Sequence, residues 1–280
     1  MRISLSMWSL HKAWYNHQIE ICDFLDFASS SGAKGVELLS VFWKDIAQEL
    51  PLVDQALRKN GLKVSSYAAS NNFVHRDSEE REKQLMEVKD AIDLAQHFET
   101  NIVRVFSGHI TEPSITYEEG LQYVIEGLSR AASYAENKGI LLCIENHGLF
   151  AGKSNQMREI IQQVGSPNVR STFDTGNFLL VGQNPTDAVV DMSDLISHVH
   201  IKDFQQVTHH EDALKSTNGN LYLGKIAGAG EIDLPFILET LMKIHYDGWL
   251  VVEFEGTEEE KEGSIKSMHY LKHILEQKIV

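Results

Sequence analysis

Four short apolar runs in this chain each end in a side chain able to bind a metal ion, and nothing else in the sequence constrains the fold as much. The clearest is Leu141-Leu142-Cys143-Ile144, which runs straight into Glu145-Asn146-His147-Gly148. A short apolar run closed by a turn signal predicts a strand buried on both faces, as parallel sheets require. The design returns in Val169-Arg-Ser-Thr-Phe-Asp174, His198-Val-His200-Ile-Lys202-Asp203 and Trp249-Leu-Val-Val-Glu253. In α/β folds ligands bind at such strand ends. Glu145, Asp174, His200 and Glu253 would together make a mixed oxygen and nitrogen site for a divalent cation. A lysine or arginine bridging two of these tips instead would rule out an ion there.

The rest of the chain supplies the frame. Strand-like runs at Ile3–Met7, Lys34–Leu39, Leu62–Ala69 and Asn101–Phe106 precede the four above, the seventh strand being read as Ser197–Lys202. Helical spacing separates them, as in Leu121, Val124, Ile125, Leu128, Ala131, Ala132 and Ala135, with Gly139 as the stop. Further helices are expected at Leu52–Asn60, from Asp77 (a capping-box start with Glu80) to about His97, and at Ser154–Val164. Others are expected at Pro185–Leu195, Leu234–Ile244 and Glu258–Lys278. The polar, glycine-bearing segment Phe204–Glu231 reads as a lid or side loop over the site. Eight strand-then-helix units with no linker predict an α/β fold, one (β/α)8 TIM barrel domain over residues 1–280. A doubly wound sheet would want a glycine-rich loop after the first strand, where Ser6-Met7-Trp8-Ser9 has no glycine.

Composition narrows the partners. With 25 basic and 40 acidic residues the formal charge is −15, which repels nucleic acid and anionic lipid. Cys22 and Cys143 fit neither a disulfide framework nor a zinc motif, and no apolar run approaches a membrane span. A cytoplasmic protein with a small-molecule partner is expected, and the sequence leaves a homo-oligomer open.

Other polar residues at the tips have two readings each. His198 shares a strand face with His200, as a core histidine or a second ligand. His147 contacts substrate or caps a loop. Glu37 holds the substrate or a site arginine, or pairs structurally with Arg104, a guanidinium inside an apolar strand. Trp8 and Phe106 are pocket walls or ordinary core. His75, His109, His209 and His210 read as solvated loop residues.

Taken in order, several short stretches resemble the xylose-isomerase-like barrel superfamily, and within it the sugar phosphate isomerase/epimerase group. They are Gly35-Val-Glu37, Arg104-Val-Phe-Ser-Gly108, Ile144-Glu-Asn-His-Gly148, Phe173-Asp-Thr-Gly-Asn177, His198-Val-His-Ile-Lys-Asp203, Gly228-Ala-Gly-Glu-Ile-Asp233 and Tyr246-Asp-Gly-Trp-Leu-Val-Val-Glu253. The resemblance covers essentially the whole chain. It implies metal ligands at Glu145, Asp174, His200 and Glu253, with Glu145 and Glu253 also the catalytic acid/base pair. Asn177 stands where ketose 3-epimerases carry a histidine, and Gln206 replaces their arginine; both departures argue against a ketohexose substrate.

The expected activity is a divalent-metal-dependent isomerase or epimerase of a sugar or related polyhydroxy carbonyl compound. One Mn²⁺-like ion (Mg²⁺, Co²⁺ or Zn²⁺ being alternatives) would stabilise an enediolate while the glutamates move the proton. Lys202, His147 and Asn177 are candidates to bind substrate oxygens, alongside Glu37, Arg104 and Trp8. The alternative is a dehydratase of a keto-inositol or dehydroshikimate-like compound, in which the same intermediate expels a hydroxyl. An endonuclease IV-like repair nuclease is the third reading, opposed by the acidic charge and by missing ligands at Asn71-Asn72 and Phe106-Ser107.

Overall fold

The computed structural model describes residues 1–110 and 112–278. Its strands are β1 (Arg2–Ser6), β2 (Gly35–Leu39), β3 (Lys63–Ala68), β4 (Ile102–Val105), β5 (Leu141–Glu145), β6 (Val169–Asp174), β7 (Ile196–Ile201), β8 (Asp203–Val207), β9 (Leu214–Lys215), β10 (Leu221–Lys225) and β11 (Trp249–Val252). Strands β1 to β7 and β11 form a closed barrel in chain order, with β11 completing it against β1. Every pairing in the barrel is parallel. The apolar runs are buried on both faces, as in β4 and β11, because side chains packed inside the barrel and helices outside leave neither face to water.

The helices are α1 (His11–Tyr15), α2 (Ile21–Ser30), α3 (Ile46–Asn60), α4 (Ser78–His97), α5 (Tyr117–Glu136), α6 (Ser154–Val164), α7 (Asn177–Leu180), α8 (Pro185–Asp191), α9 (Leu234–Lys243) and α10 (Glu260–Lys278). Helix α5 shows why the outer layer holds. Leu121, Val124, Leu128, Ala131, Ala132 and Ala135 recur at helical spacing and are buried. Thr116 caps it by accepting from the Glu119 N–H at 3.1 Å. It packs on β5 and on α4 and α6.

Local chemistry moved some boundaries. Helix α3 begins at Ile46, six residues before the expected Leu52, and carries Pro51 inside it. Asp45 accepts from the N–H groups of Ala47 and Gln48, and Glu49 reaches back to the Lys44 and Asp45 N–H groups. That reciprocal cap outweighs the proline's missing donor. At Asp77 the cap forms on Glu79, but Glu80 turns to Lys83 and Gln84, so the expected box does not close.

The segment expected as a lid or loop is instead ordered. Strands β8, β10 and β9 pair antiparallel in that order, and an isolated bridge joins Gly224 to Gly256 just beyond β11. Asp203 clasps the returning chain, accepting from Gly228, Gly230 and Ile232 at 2.8, 2.9 and 3.2 Å. Gly230 passes so close that a Cβ there would lie 2.2 Å from Asp203 Oδ1. The sheet stands beside the tips of β7 and β11, anchored at both.

Leu128 is fully buried under α5. Leu128→Ala should lower unfolding free energy by about 2–5 kcal/mol in urea titration. A near-neutral change would show that this face is not packed as described.

Candidate metal centre

The carboxyl ends of β5, β6, β7 and β11 bring Glu145, Asp174, His200 and Glu253 together. One ligand-competent atom of each lies within 4.8 Å of the others, and none of the four residues is more than 3% exposed. His200 Nδ1 is 3.4 Å from Glu253 Oε2, 3.7 Å from Glu145 Oε2 and 4.0 Å from Asp174 Oδ2.

Each ligand candidate is held by its neighbours. The Gly176 and Asn177 N–H groups both donate to Asp174 Oδ1 at 2.8 Å, which leaves Oδ2 facing the cluster with no hydrogen bond. Gly176 has no room for a side chain, since a Cβ would meet the Phe204 ring at 2.6 Å and Lys202 Cβ at 2.8 Å. Asn146 pins the tip of β6 by bonding both the N–H and the carbonyl of Asp174. Asn177 Nδ2 donates to Glu145 Oε1 at 2.9 Å.

Glu37 does the same for His200. Its Oε2 lies 3.0 Å from His200 Nε2, 3.1 Å from His198 Nε2 and 2.7 Å from the Ser66 hydroxyl, while Oε1 accepts from Ser6 at 3.0 Å. With Nε2 on Glu37, His200 turns Nδ1 toward the carboxylates, and that buried nitrogen has no hydrogen bond. Glu37, His198 and His200 also lie within ligand reach of one another. The atoms they turn to one another are already within hydrogen-bond distance, both Nε2 atoms against Glu37 Oε2.

The expected pairing of Glu37 with Arg104 is corrected here. Arg104 lies on β4, beside Cys143 of β5 in register, and β3 separates it from Glu37. Its guanidinium turns instead to Glu145, with Nε 3.2 Å from Oε2, an ion-pair distance off hydrogen-bond geometry. Nη1 donates to the Ala69 carbonyl, and the guanidinium covers the Phe106 ring at 4.0 Å. Glu37, with both oxygens taken up inside the barrel, has no open edge toward a substrate.

Among the remaining candidates, exposed His147 lies against Phe106 with ring centroids 4.9 Å apart. Half-buried Trp8 donates from Nε1 to Glu255 Oε1 and stacks on His11. Glu255 is a site residue that the sequence reading missed. Its signal was spacing, since it follows Glu253 by two just beyond β11.

Lys202 is where structure and expectation collide. Its Nζ lies 2.8 Å from Glu253 Oε2 and 3.3 Å from both Asp174 Oδ2 and Glu255 Oε2. A lysine therefore does bridge two of the four tips. It does not satisfy the cluster, because His200 Nδ1 and Asp174 Oδ2 stay without hydrogen bonds. That donor set fits a divalent ion.

The local field sets these groups apart. Burial pushes the Glu145 carboxyl up, against Arg104 and His200. Burial also drives Asp174 up to about 6, with Lys202 opposing and the two glutamates adding to the rise. Glu253 feels the same burial, but Lys202 and then His200 outweigh it and hold the carboxyl below its usual range. For His200 burial works against the charged ring, yet Glu37 and Glu253 raise its pKa well above the ordinary value. A recess of about 1380 Å³ opens at the opposite end of the barrel, lined by strand starts such as Lys63, Leu141 and Trp249; His198 reaches it, but none of the four does.

A parallel eight-stranded barrel with a carboxylate and imidazole cluster at its strand ends is the class that fold and site define. A family profile described as xylose isomerase-like TIM barrel matches residues 25–274, and the chain belongs to that family. The inosose dehydratase of Clostridium botulinum (strain Alaska E43 / Type E3) is 25% identical over 266 residues, spanning 86% of this chain and 85% of that protein. A solved D-tagatose 3-epimerase-like protein shares the fold with TM-score 0.81 and 21% identity over 100% of both chains. The IOLI protein, solved with a bound zinc atom, shares it with TM-score 0.78 and 17% identity over 99% of both chains. No helix among the described residues is long and apolar enough to cross a membrane.

Protons and an ion would compete for these ligands, since the Asp174 carboxyl is pushed up to about 6 and His200 would have to lose a proton to ligate. Affinity for Mn²⁺, measured by calorimetry, should therefore fall as pH drops from about 7 to about 5, with proton release on binding. Asp174→Ala and His200→Ala should each weaken binding. An affinity independent of pH across this window would contradict the assignment.

Proposed function

We propose that this protein is a divalent-metal-dependent enzyme that removes the proton beside the carbonyl of an uncharged polyhydroxy ketone. The observation that carries the reading is the convergence of Glu145 and Glu253 on one cluster with Asp174 and His200. An ion held by these four residues would polarise the substrate carbonyl and offset the negative charge that develops as the C–H bond breaks. Manganese suits the oxygen-rich set, with magnesium and zinc as alternatives.

The chain's own residues divide the proton work. His200 and, before an ion binds, Lys202 keep Glu253 ionised, ready to accept a proton. Burial favours the protonated form of Glu145, which suits a donor. Asn177 and Arg104 fix the two Glu145 oxygens in place. His147 and Trp8, at the mouth, are the contacts proposed for the substrate's hydroxyls. Lys202 and Arg104 are the only buried lysine and arginine among the described residues, and both are committed to carboxylates. Neither is free to clamp a phosphate or a carboxylate, which favours a neutral substrate.

Loss of water from a keto-inositol-like ring is the fate we favour for the intermediate. Support comes from relatives named inosose dehydratase, one matched over 86% of the chain, and from Asn177 and Gln206 standing where ketose epimerases carry histidine and arginine. The second reading is isomerisation or epimerisation, favoured by the paired glutamates, one removing the proton and the other returning it.

Purified protein with Mn²⁺ in D₂O should exchange deuterium into the carbon beside the carbonyl, or eliminate water, on keto-inositols or free ketoses. Glu145→Gln and Glu253→Gln should each lower turnover by about 10²–10⁴-fold while losing less in metal affinity. Mass spectrometry separates the fates, dehydrated product marking the lyase and rearranged product the isomerase. No exchange and no product across such a panel would sink the proposal, and metal-dependent cleavage of abasic DNA would replace it.

A further inference from the structure

Lys202 and a divalent ion need the same oxygens. The ammonium sits 2.8 Å from Glu253 Oε2 and 3.3 Å from Asp174 Oδ2, and both carboxylates belong to the cluster assigned to the ion. Two cations sharing those oxygens would repel one another strongly in a buried site. The lysine has a third partner outside the cluster. Glu255 Oε2 is 3.3 Å from Nζ, and its other oxygen accepts from the Trp8 indole N–H. Trp8 is itself fixed by stacking on His11, with centroids 4.7 Å apart and planes 10° apart. Glu255 is thus a carboxylate held in one orientation beside the cluster without belonging to it. A lysine's flexible stem and three donors let it change partners over this short range.

We propose that Lys202 is a built-in counter-cation that competes with the metal ion for Asp174 and Glu253, and that Glu255, held by Trp8, receives it when the ion binds. The inference rests on the metal reading above. It makes Glu255 a positioning residue, acting on metal affinity through Lys202 alone. With the ion bound, the displaced ammonium stays neutralised at the edge of the site.

The test measures Mn²⁺ affinity of the full chain by calorimetry, with melting temperature of the metal-free protein as a second readout. Glu255→Gln removes the lysine's alternative partner and should weaken Mn²⁺ binding by about 10- to 100-fold. Trp8→Phe, which frees Glu255, should shift affinity in the same direction by less. Lys202→Met removes the competitor and should tighten binding by about tenfold or more while lowering the metal-free melting temperature. In the Lys202→Met background, Glu255→Gln should no longer weaken binding. General damage to the site would lower affinity in every variant, so the opposite signs carry the inference. Should Lys202→Met fail to fold, Lys202→Gln removes the same competing charge and takes its place, with the same tightening expected. Unchanged affinity in Glu255→Gln, or an equal loss with Lys202 absent, overturns the proposal while leaving the metal site standing. A wild-type chain that binds no divalent ion overturns the metal reading and this inference with it.

Discussion

The hydrogen bonds that converge on Glu37 are the interaction on which the rest of the site depends. Four strands meet there, as Ser6 of β1, Ser66 of β3 and both histidines of β7 all reach one carboxylate of β2. Burial raises the energy of the carboxylate, but the two imidazoles more than offset it and hold its pKa well below the usual range. A buried anion is tolerable only when its lone pairs are filled, and removing one partner of such a pair typically costs about 3–5 kcal/mol. What the arrangement secures is orientation. His200 cannot rotate its Nδ1 away from the carboxylates without abandoning Glu37.

Around that fixed imidazole the barrel accumulates negative charge. Glu145, Asp174 and Glu253 crowd one buried space against Lys202 and Arg104, in a chain already at −15. A site built only for stability would not be arranged this way, since well-packed apolar side chains serve a core at least as well. The two unbonded atoms, Asp174 Oδ2 and His200 Nδ1, mark where the hydrogen bonding is incomplete. The outer layers carry the compensating stability through ordinary apolar faces such as that of α5.

Much of this was legible along the chain. Apolar runs such as Trp249-Leu-Val-Val announce buried strands whatever they pair with, and the polar residue ending each run marks the tip. Glu145 and Glu253 could be singled out on that basis. Other features escaped because their cause lies elsewhere in space. The Glu37–Arg104 pairing was plausible by charge, but barrel order puts Glu145 next to Arg104 and leaves β3 between it and Glu37. Asp45 and Glu49 start α3 ahead of Pro51, overriding a strong local breaker. The sheet of β8, β9 and β10 went unread because its short strands are held by pairing and by the Asp203 clasp more than by their own apolar pattern.

What the sequence by itself determined is the number and order of the barrel strands, the faces of the helices and the kinds of side chain at each tip. These follow from local periodicity, which one segment expresses alone. What only the tertiary structure decided is register. Between β6 and β7 the pairing skips Ser197, so Thr172 meets His198 and Asp174 meets His200. Between β2 and β3 it skips Ser65, and Glu37 meets Ser66. Without those two irregularities Asp174 would lie opposite Val199 and Glu37 opposite Ser65. A strand's side chains alternate with period two, so a slip of one residue exchanges its faces, and neither strand alone records the slip.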